Sequence, residues 1–240
     1  MAFHYNPKIV TDQLSLCLDA GNPKSYPSSS SDDWYDLSSN RLTFSSNGTK
    51  TPLEVKGGAL SFDLNGSGYW QSDSGHENVD MGGDCTLLMW VYCEDLTERD
   101  TIFEKAGNSY NSYEQEIAVT WETNESFTYY SRKTPTYDYG STSAMTANAW
   151  NFMGIKMSTG RTASARTGFY SKNGAAWTSN YTSRSDTALV SAGAVRVGTG
   201  YAGAVEQNAG NIAMVLCYNK MLSDAEVKQN YNALRKRFGL

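Results

Sequence analysis

The amino-acid sequence predicts an all-β fold, two packed antiparallel sheets closed by one C-terminal helix. Composition is the first reason. Within 240 residues, 21 glycines, 16 tyrosines, six tryptophans and abundant Ser and Thr favour many short strands joined by turns over a helical bundle. The second is a series of short apolar runs, each bounded by Gly, Asn, Ser or Pro. The third is the ending, where a strand, a polar connector and a capped helix follow one another across 210–240. A chain of this length suits a single sandwich domain with a substantial core.

In chain order, residues 1–13 read as an N-terminal arm ahead of a domain spanning 14–240. Strands are expected at 14–18, 59–64, 85–93, 101–105, 115–121, 127–130, 150–157, 168–171, 175–178, 194–197 and 212–218. Residues 22–50, rich in Ser and Asn, read as a long ordered loop anchored by Trp34, Tyr35 and Leu37. Asn173-Gly174 is a type I′ turn signal, because both central residues of that turn need positive φ. At the end, Ile212, Met214, Leu216 and Tyr218 alternate with Ala213, Val215 and Cys217, so both faces are apolar and the strand is buried. Ser223 with Glu226 forms a capping box that starts a helix over 224–238. Val227, Tyr231, Leu234 and Phe238 give that helix one apolar stripe, and Gly239 supplies a left-handed stop.

Charge and cysteine usage exclude several classes. The net charge is −5, and residues 220–240 hold five basic and two acidic side chains, so the remainder is strongly acidic. An acidic body argues against general nucleic-acid binding. The basic helix end matches the helix dipole and reads as a solvated face. Cys17, Cys85, Cys93 and Cys217 show no CxxC spacing, and two histidines cannot complete a structural zinc site with them. The N-terminal MAFHYNPKIV lacks the basic and apolar regions of a signal peptide, and no apolar run reaches the roughly 20 residues that cross a membrane. Reduced, buried thiols and synthesis in a cytoplasm are expected, which makes the sequons at Asn47, Asn65, Asn124 and Asn180 chance products.

Taken in order, LCLDAGNPKSY, WYDLS, ALSFDLNGSGYW, CTLLMWVYC, IFEKAG, WNFMGIKMS, FYSKNGAAW, VRVGTG and GNIAMVLCYNKMLSDAEV resemble the concanavalin A-like, laminin G-type jelly roll, over 14–240. The resemblance implies two antiparallel sheets in which the first and last strands are neighbours, bringing Cys17 and Cys217 close as free thiols. More narrowly, LDAGNPKSY near the start and NYNALRKRFG at the end resemble virion structural proteins of tailed bacteriophages. That implies a virion protein made in the host cytoplasm and displayed on a head or tail. Its partners would be other virion proteins, copies of itself, or a host-surface or environmental polysaccharide.

The same fold hosts laminarinase-like glucanases, whose retaining chemistry needs two carboxylates about 5 Å apart. The nearest candidate pair is Glu114 with Glu116 in YEQEIAV, which lacks the central Asp and final acid of the Glu-x-Asp-x-Glu pattern. The two read as solvent-facing strand charges, and the chain as a non-enzyme. Gly198, Gly200 and Gly203 match a dinucleotide fingerprint in spacing but are followed by another strand, not a helix, so they read as a turn. Two binding hypotheses remain. Asp63, Asn65, Asp73, Glu77 and Asp80 gather oxygen ligands that suit calcium, an ion that related jelly rolls hold at the sheet rim. Tyr110, Tyr113, Tyr137, Asp138 and Tyr139 lie in an aromatic-rich stretch in which Trp121, Phe127 and Tyr129 have core parity. Exposed tyrosines beside an acid stack on a sugar ring or anchor a protein interface.

Overall fold

A computed structural model of the chain describes residues 8–27, 31–48, 53–64, 68–74, 76–94, 99–106, 114–133, 136–158, 167–182, 193–200, 205–207 and 210–240. At 100, 114, 132–133, 136–138, 180–182 and 205–207 it describes the backbone alone. The first sheet runs β14 (Thr178–Thr182), β13 (Thr167–Lys172), β12 (Ala149–Met157), β7 (Cys85–Cys93), β18 (Gly210–Tyr218), β5 (Ala59–Asp63) and β4 (Leu53–Lys56), with β1 (Leu14–Asp19) also paired to β18. The second runs β11 (Thr136–Ser141), β10 (Phe127–Lys133), β9 (Glu114–Trp121), β8 (Asp100–Ala106), β15 (Val195–Val197), β6 (Gly68–Ser72), β3 (Thr43–Gly48) and β2 (Asp33–Tyr35). Every pairing between them is antiparallel, so the expected two-sheet antiparallel sandwich is the fold.

Strand alternation explains the layers. β7 and β18 are apolar on both faces because each face has a cover. Leu87, Met89, Val91, Val215 and Cys217 enter the core between the sheets, while Leu88, Trp90, Ala213, Met214, Leu216 and Tyr218 join a second cluster under the helix. Trp34, Phe62 and Trp70 are fully buried, with ring centroids 4.7 Å (Trp34–Phe62) and 4.8 Å (Phe62–Trp70) apart. Trp121, Phe127 and Tyr129 are core, as their parity predicts.

The C-terminal segment forms as expected, with one change. Ser223 and Glu226 make both bonds of the capping box at the start of α1 (Asp224–Leu234). The last turn then tightens into a 3-10 turn, Arg235–Phe238, and Gly239 stops it at φ 73. Tightening turns Phe238 onto the indole of Trp90, 4.0 Å away and nearly parallel, while Tyr231 stacks on the same indole from 5.9 Å. The arm's residues 8–12 lie along this helix: Val10 N–H donates to Asn230 Oδ1 (2.9 Å), and Tyr218 O–H donates to Val10 C=O (3.0 Å).

β1 and β18 are neighbours, with Leu16 opposite Cys217 and Cys17 opposite Leu216. The two thiols therefore sit on adjacent strands but on opposite faces of the sheet, Cys17 under the helix and Cys217 in the core. Segment 22–50 is more than a loop. β2 and β3 pair within it, because Trp34 and Phe44 alternate with polar residues and both bury completely. β4, β6 and β11 also have no counterpart among the expected strands, each being short or mixed in polarity. The run at 175–178 is displaced to Thr178–Thr182. Asn173 and Gly174 do take positive φ (50 and 71) as a type I′ pair requires, yet a longer connection follows before β14 pairs. Gly198 has φ 90 and leads into a two-stranded ribbon, β16 (Thr199–Gly200) with β17 (Val205–Gln207), so no helix opens at Gly198 or Gly200; Gly203 lies outside the described residues.

Candidate functional site

The two outer faces of the sandwich differ. Helix α1 and its aromatic cluster cover the first sheet. Across the second sheet, the registers connect one continuous outward row: Asp33, Ser45, Gln71, Arg196, Glu104, Ala118, Tyr130 and Tyr139. The adjacent row, with Trp70, Val197, Phe103, Val119 and Tyr129, faces the core. Period-two alternation thus sends Arg196 and Glu104 to the side away from the core.

The middle of the outward row is a buried hydrogen-bond network. Arg196 Nε donates to Gln71 Oε1 (2.9 Å) and Nη1 to Glu104 Oε2 (3.2 Å), while Gln115 Nε2 donates to Glu104 Oε1 (2.5 Å). Glu104, Arg196 and Gln115 are each at most 5 % exposed, so this network is structural ground from which the open end of the row projects.

That open end is a cleft of about 540 Å³ between the β9–β10 turn and β11, within the range of about 300–1,000 Å³ common for small-ligand sites. Glu122, Asn124, Ser126, Thr128, Tyr139, Ser141 and Thr142 line it. Register places Thr128 opposite Ser141 and Tyr130 opposite Tyr139, so two hydroxyls and two rings share one face. Tyr139 is 58 % exposed, an unusual position for so large a ring. The turn itself is locked. Glu122 N–H donates to Ser126 C=O, Glu125 N–H to Glu122 C=O, Asn124 Oδ1 accepts from the Ser126 amide and hydroxyl, and Glu125 takes φ 65. Thr120 Oγ1 donates to Glu122 Oε1 (2.7 Å), and Arg99 Nε lies 3.3 Å from the same oxygen.

Of the sequence candidates, Tyr139 lies in this cleft. Tyr137 and Asp138 lie on the same strand, described by backbone alone, and Tyr110 and Tyr113 fall outside the described residues. For the calcium candidates, among the described residues no group of three acidic, histidine or cysteine side chains is placed to hold a metal ion. Asp63 ends β5, Asp73 follows β6, Glu77 sits in a 3-10 turn, and Asp80 accepts from the amides of Gly82 and Gly83; Asn65 is outside the described residues.

Glu116 corrects an expectation. It is 3 % exposed, pairs with Lys105 Nζ (2.8 Å) and accepts from the Met81 amide (2.8 Å), so it is not a solvent-facing charge. The cause is a β-bulge. Ala106 pairs with Gln115 and Lys105 with Ile117, which leaves Glu116 as the extra residue and turns it toward Lys105, on the face of Phe103. Glu122, Asn124, Thr128 and Ser141 were missed in the sequence, although the polar ETNES between two strand runs marks the turn that carries the first two.

No family model matches the chain, and no curated protein matches it. Solved structures do. The binding domain of botulinum neurotoxin DC in complex with SialylT superposes with a TM-score of 0.69 at 13 % identity, over 93 % of this chain and 52 % of that one. The botulinum neurotoxin type C structure described by its dependence on two ganglioside molecules for cell entry gives 0.66 at 12 % identity, over 92 % of this chain and 51 % of that one. A Trypanosoma rangeli sialidase mutant displaying trans-sialidase activity gives 0.64 at 14 % identity, over 97 % of this chain and 34 % of that one. The chain spans about half the length of the toxin domains and a third of the sialidase. The likeness establishes a concanavalin A-like sandwich fold.

Proposed function

We propose that this chain is a non-enzymatic carbohydrate-binding module carried on the particle of a tailed bacteriophage. The observation that carries the binding reading is Tyr139: an exposed ring beside a pre-shaped cleft of hydroxyls, an amide and a carboxylate. Sugars present apolar C–H faces and hydroxyl edges, and such a cleft offers a partner to each. The superposing toxin structures, one in complex with SialylT and one whose cell entry depends on two ganglioside molecules, support the reading at the level of fold. Support for the virion setting is the sequence resemblance of LDAGNPKSY and NYNALRKRFG, with other virion proteins or copies of the chain as anchoring partners. Against hydrolysis stands Glu116, the best catalytic candidate in the sequence, which is held by Lys105.

The test is retention of the purified chain on immobilised polysaccharides, with Tyr139→Ala beside the parent. Retention lost in a variant with unchanged melting supports the reading. A parent that flows through every matrix sinks it. Mass spectrometry of purified phage particles checks the setting, which falls if no copy of the chain is present.

A further inference from the structure

We infer that β4 is a self-pairing edge through which two copies of this chain join, antiparallel about Val55, into one continuous sheet. This goes beyond the carbohydrate-binding reading and does not depend on it.

The fold leaves this edge open. β4 ends the first sheet, paired to β5 on one side and, among the described residues, to no strand on the other. Gly57 and Gly58 make the two-residue turn of that hairpin, with φ 51 and 85, so Lys56 and Ala59 close it as a hydrogen-bonded pair. Alternation makes Glu54 and Ser61 the next such pair, and the N–H and C=O of Val55 point outward, away from β5. Leu60, opposite Val55, confirms the parity from the other strand: its carbonyl is free of β4 and accepts from Arg237 Nη2 (3.3 Å). An outward amide and carbonyl on an edge strand are a template for another strand.

The side chains select which strand fits. Val55 is 67 % exposed and Leu60, directly opposite it, 39 %, so the two form an uncovered apolar pair on the face that Phe62 buries farther along β5. A second β4 laid antiparallel sets Val55 against Val55 of the second copy and extends the pair to four apolar side chains in a row. On the other face Glu54 meets Lys56 of the second copy, and Lys56 meets Glu54. Leu53 meets Gly57, where no side chain obstructs it. A parallel pairing would instead set Glu54 beside Glu54. Opposite charges across paired strands stabilise and like charges destabilise, so LEVKG favours the antiparallel, two-fold contact. Both charges are already positioned within the chain: Lys56 pairs with Glu94, and Glu54 Oε1 accepts from Asn211 Nδ2 (2.8 Å).

Four residues make a small contact, so the association is reversible and governed by concentration. It also leaves the Tyr139 cleft open. β11, which carries Tyr139, lies beside β14 at the opposite end of the first sheet from β4, so a pair of copies offers two clefts at once.

The experiment is sedimentation equilibrium of the whole chain across micromolar concentrations, for the parent, Val55→Pro, Glu54→Lys, Lys56→Glu and an equal mixture of the last two. The expected result is a reversible rise to two copies in the parent, and association at least about tenfold weaker in each single variant. Mixing Glu54→Lys with Lys56→Glu should restore it, because lysines on one copy then oppose glutamates on the other. Val55→Pro removes the outward amide, and proline at an edge position that donates nothing to β5 should leave melting within a few degrees of the parent. A parent that stays monomeric overturns the inference, whatever it binds on a polysaccharide matrix. Association that all three variants keep overturns the place of the contact. Charge variants that lose association and do not recover it on mixing overturn the antiparallel register.

Discussion

Arg237 Nη1 donates to Asp19 Oδ1 at 2.6 Å, so the last turn of the chain is tied to the end of its first strand, 218 residues away in sequence. Asp19 also accepts from the Gly21 amide, and a Cβ at Gly21 would come within 2.3 Å of the Arg237 guanidinium. LDAG and RKRFG therefore form one joint. With side chains 26 % and 13 % exposed, the pair lies between surface and buried ion pairs. Arg237→Ala is expected to cost about 1–2 kcal/mol. Gly21→Ala should act by displacing the same guanidinium, so the double variant should cost little more than Arg237→Ala alone. Urea midpoints of the four proteins check this, and simple additivity would refute the shared joint.

Two buried side chains, Asn230 and Tyr218, hold Val10 of the arm. Asn230 is fully buried and its Oδ1 accepts from the Val10 amide (2.9 Å) and the Tyr218 hydroxyl (3.3 Å). Asn230→Ala leaves the Val10 amide with no acceptor and opens a cavity beside Tyr218. A loss of about 2–3 kcal/mol is expected, with earlier proteolytic cleavage in the arm than in the parent. Tyr218→Phe keeps the Asn230–Val10 bond and should cost about 1 kcal/mol.

Burial pushes the Cys17 thiol up to about 12 from an ordinary value of 9.0, with Asp19 and Asp36 adding to the rise. Burial also raises Cys93 and Cys217 well above the same value. Below about pH 8 these thiols hold their protons whether folded or unfolded, so they contribute no pH dependence. Above it the unfolded chain releases protons that the folded chain keeps, and stability falls as pH rises toward 12. Melting temperature should be level from pH 7 to about 8 and drop steeply beyond about 9.5. At pH 8 the native thiols should react with a disulfide reagent far more slowly than in denaturant; fast native labelling would contradict their burial.

How much of this was legible in the sequence depends on what each segment packs against. β7, β12 and β18 were readable because both faces are apolar, and α1 because Ser223, Glu226 and the Val227–Tyr231 stripe all point one way. β3 and β6 were not, since TFSSNG and GYWQS send only alternate residues inward and carry the composition of loops. Of the site, Tyr139 was visible as an aromatic in a Gly-bounded segment. Its partners Glu122 and Asn124 were not, because an acid and an amide in a turn look like solvent-facing punctuation until the pairing of β10 with β11 brings the ring to them. Glu116 misled for a related reason: a bulge changes which face a strand residue takes, and nothing in YEQEIAV announces one.

The Lys105–Glu116 pair offers the sharpest separation between a structural and a catalytic carboxylate. Both side chains are nearly inaccessible, 1 % and 3 % exposed, and Glu116 Oε2 takes the Lys105 ammonium and the Met81 amide together. Removing one charge strands the other in a region of low polarity, so Glu116→Gln is expected to destabilise by about 3–5 kcal/mol. For a chain of this length that lowers melting by roughly 6–20 °C. Lys105→Met alone should do similar harm, whereas Lys105→Met with Glu116→Leu should recover most of it, because the desolvation cost of both charges disappears with them. A catalytic carboxylate behaves differently. Its neutralisation abolishes sugar release and leaves melting unchanged or raised, since functional charges are held at the expense of stability. Reducing-end assays on the parent, paired with melting curves for these three variants, decide between the two roles, and the buried pairing geometry predicts no sugar release and a large loss of stability in Glu116→Gln.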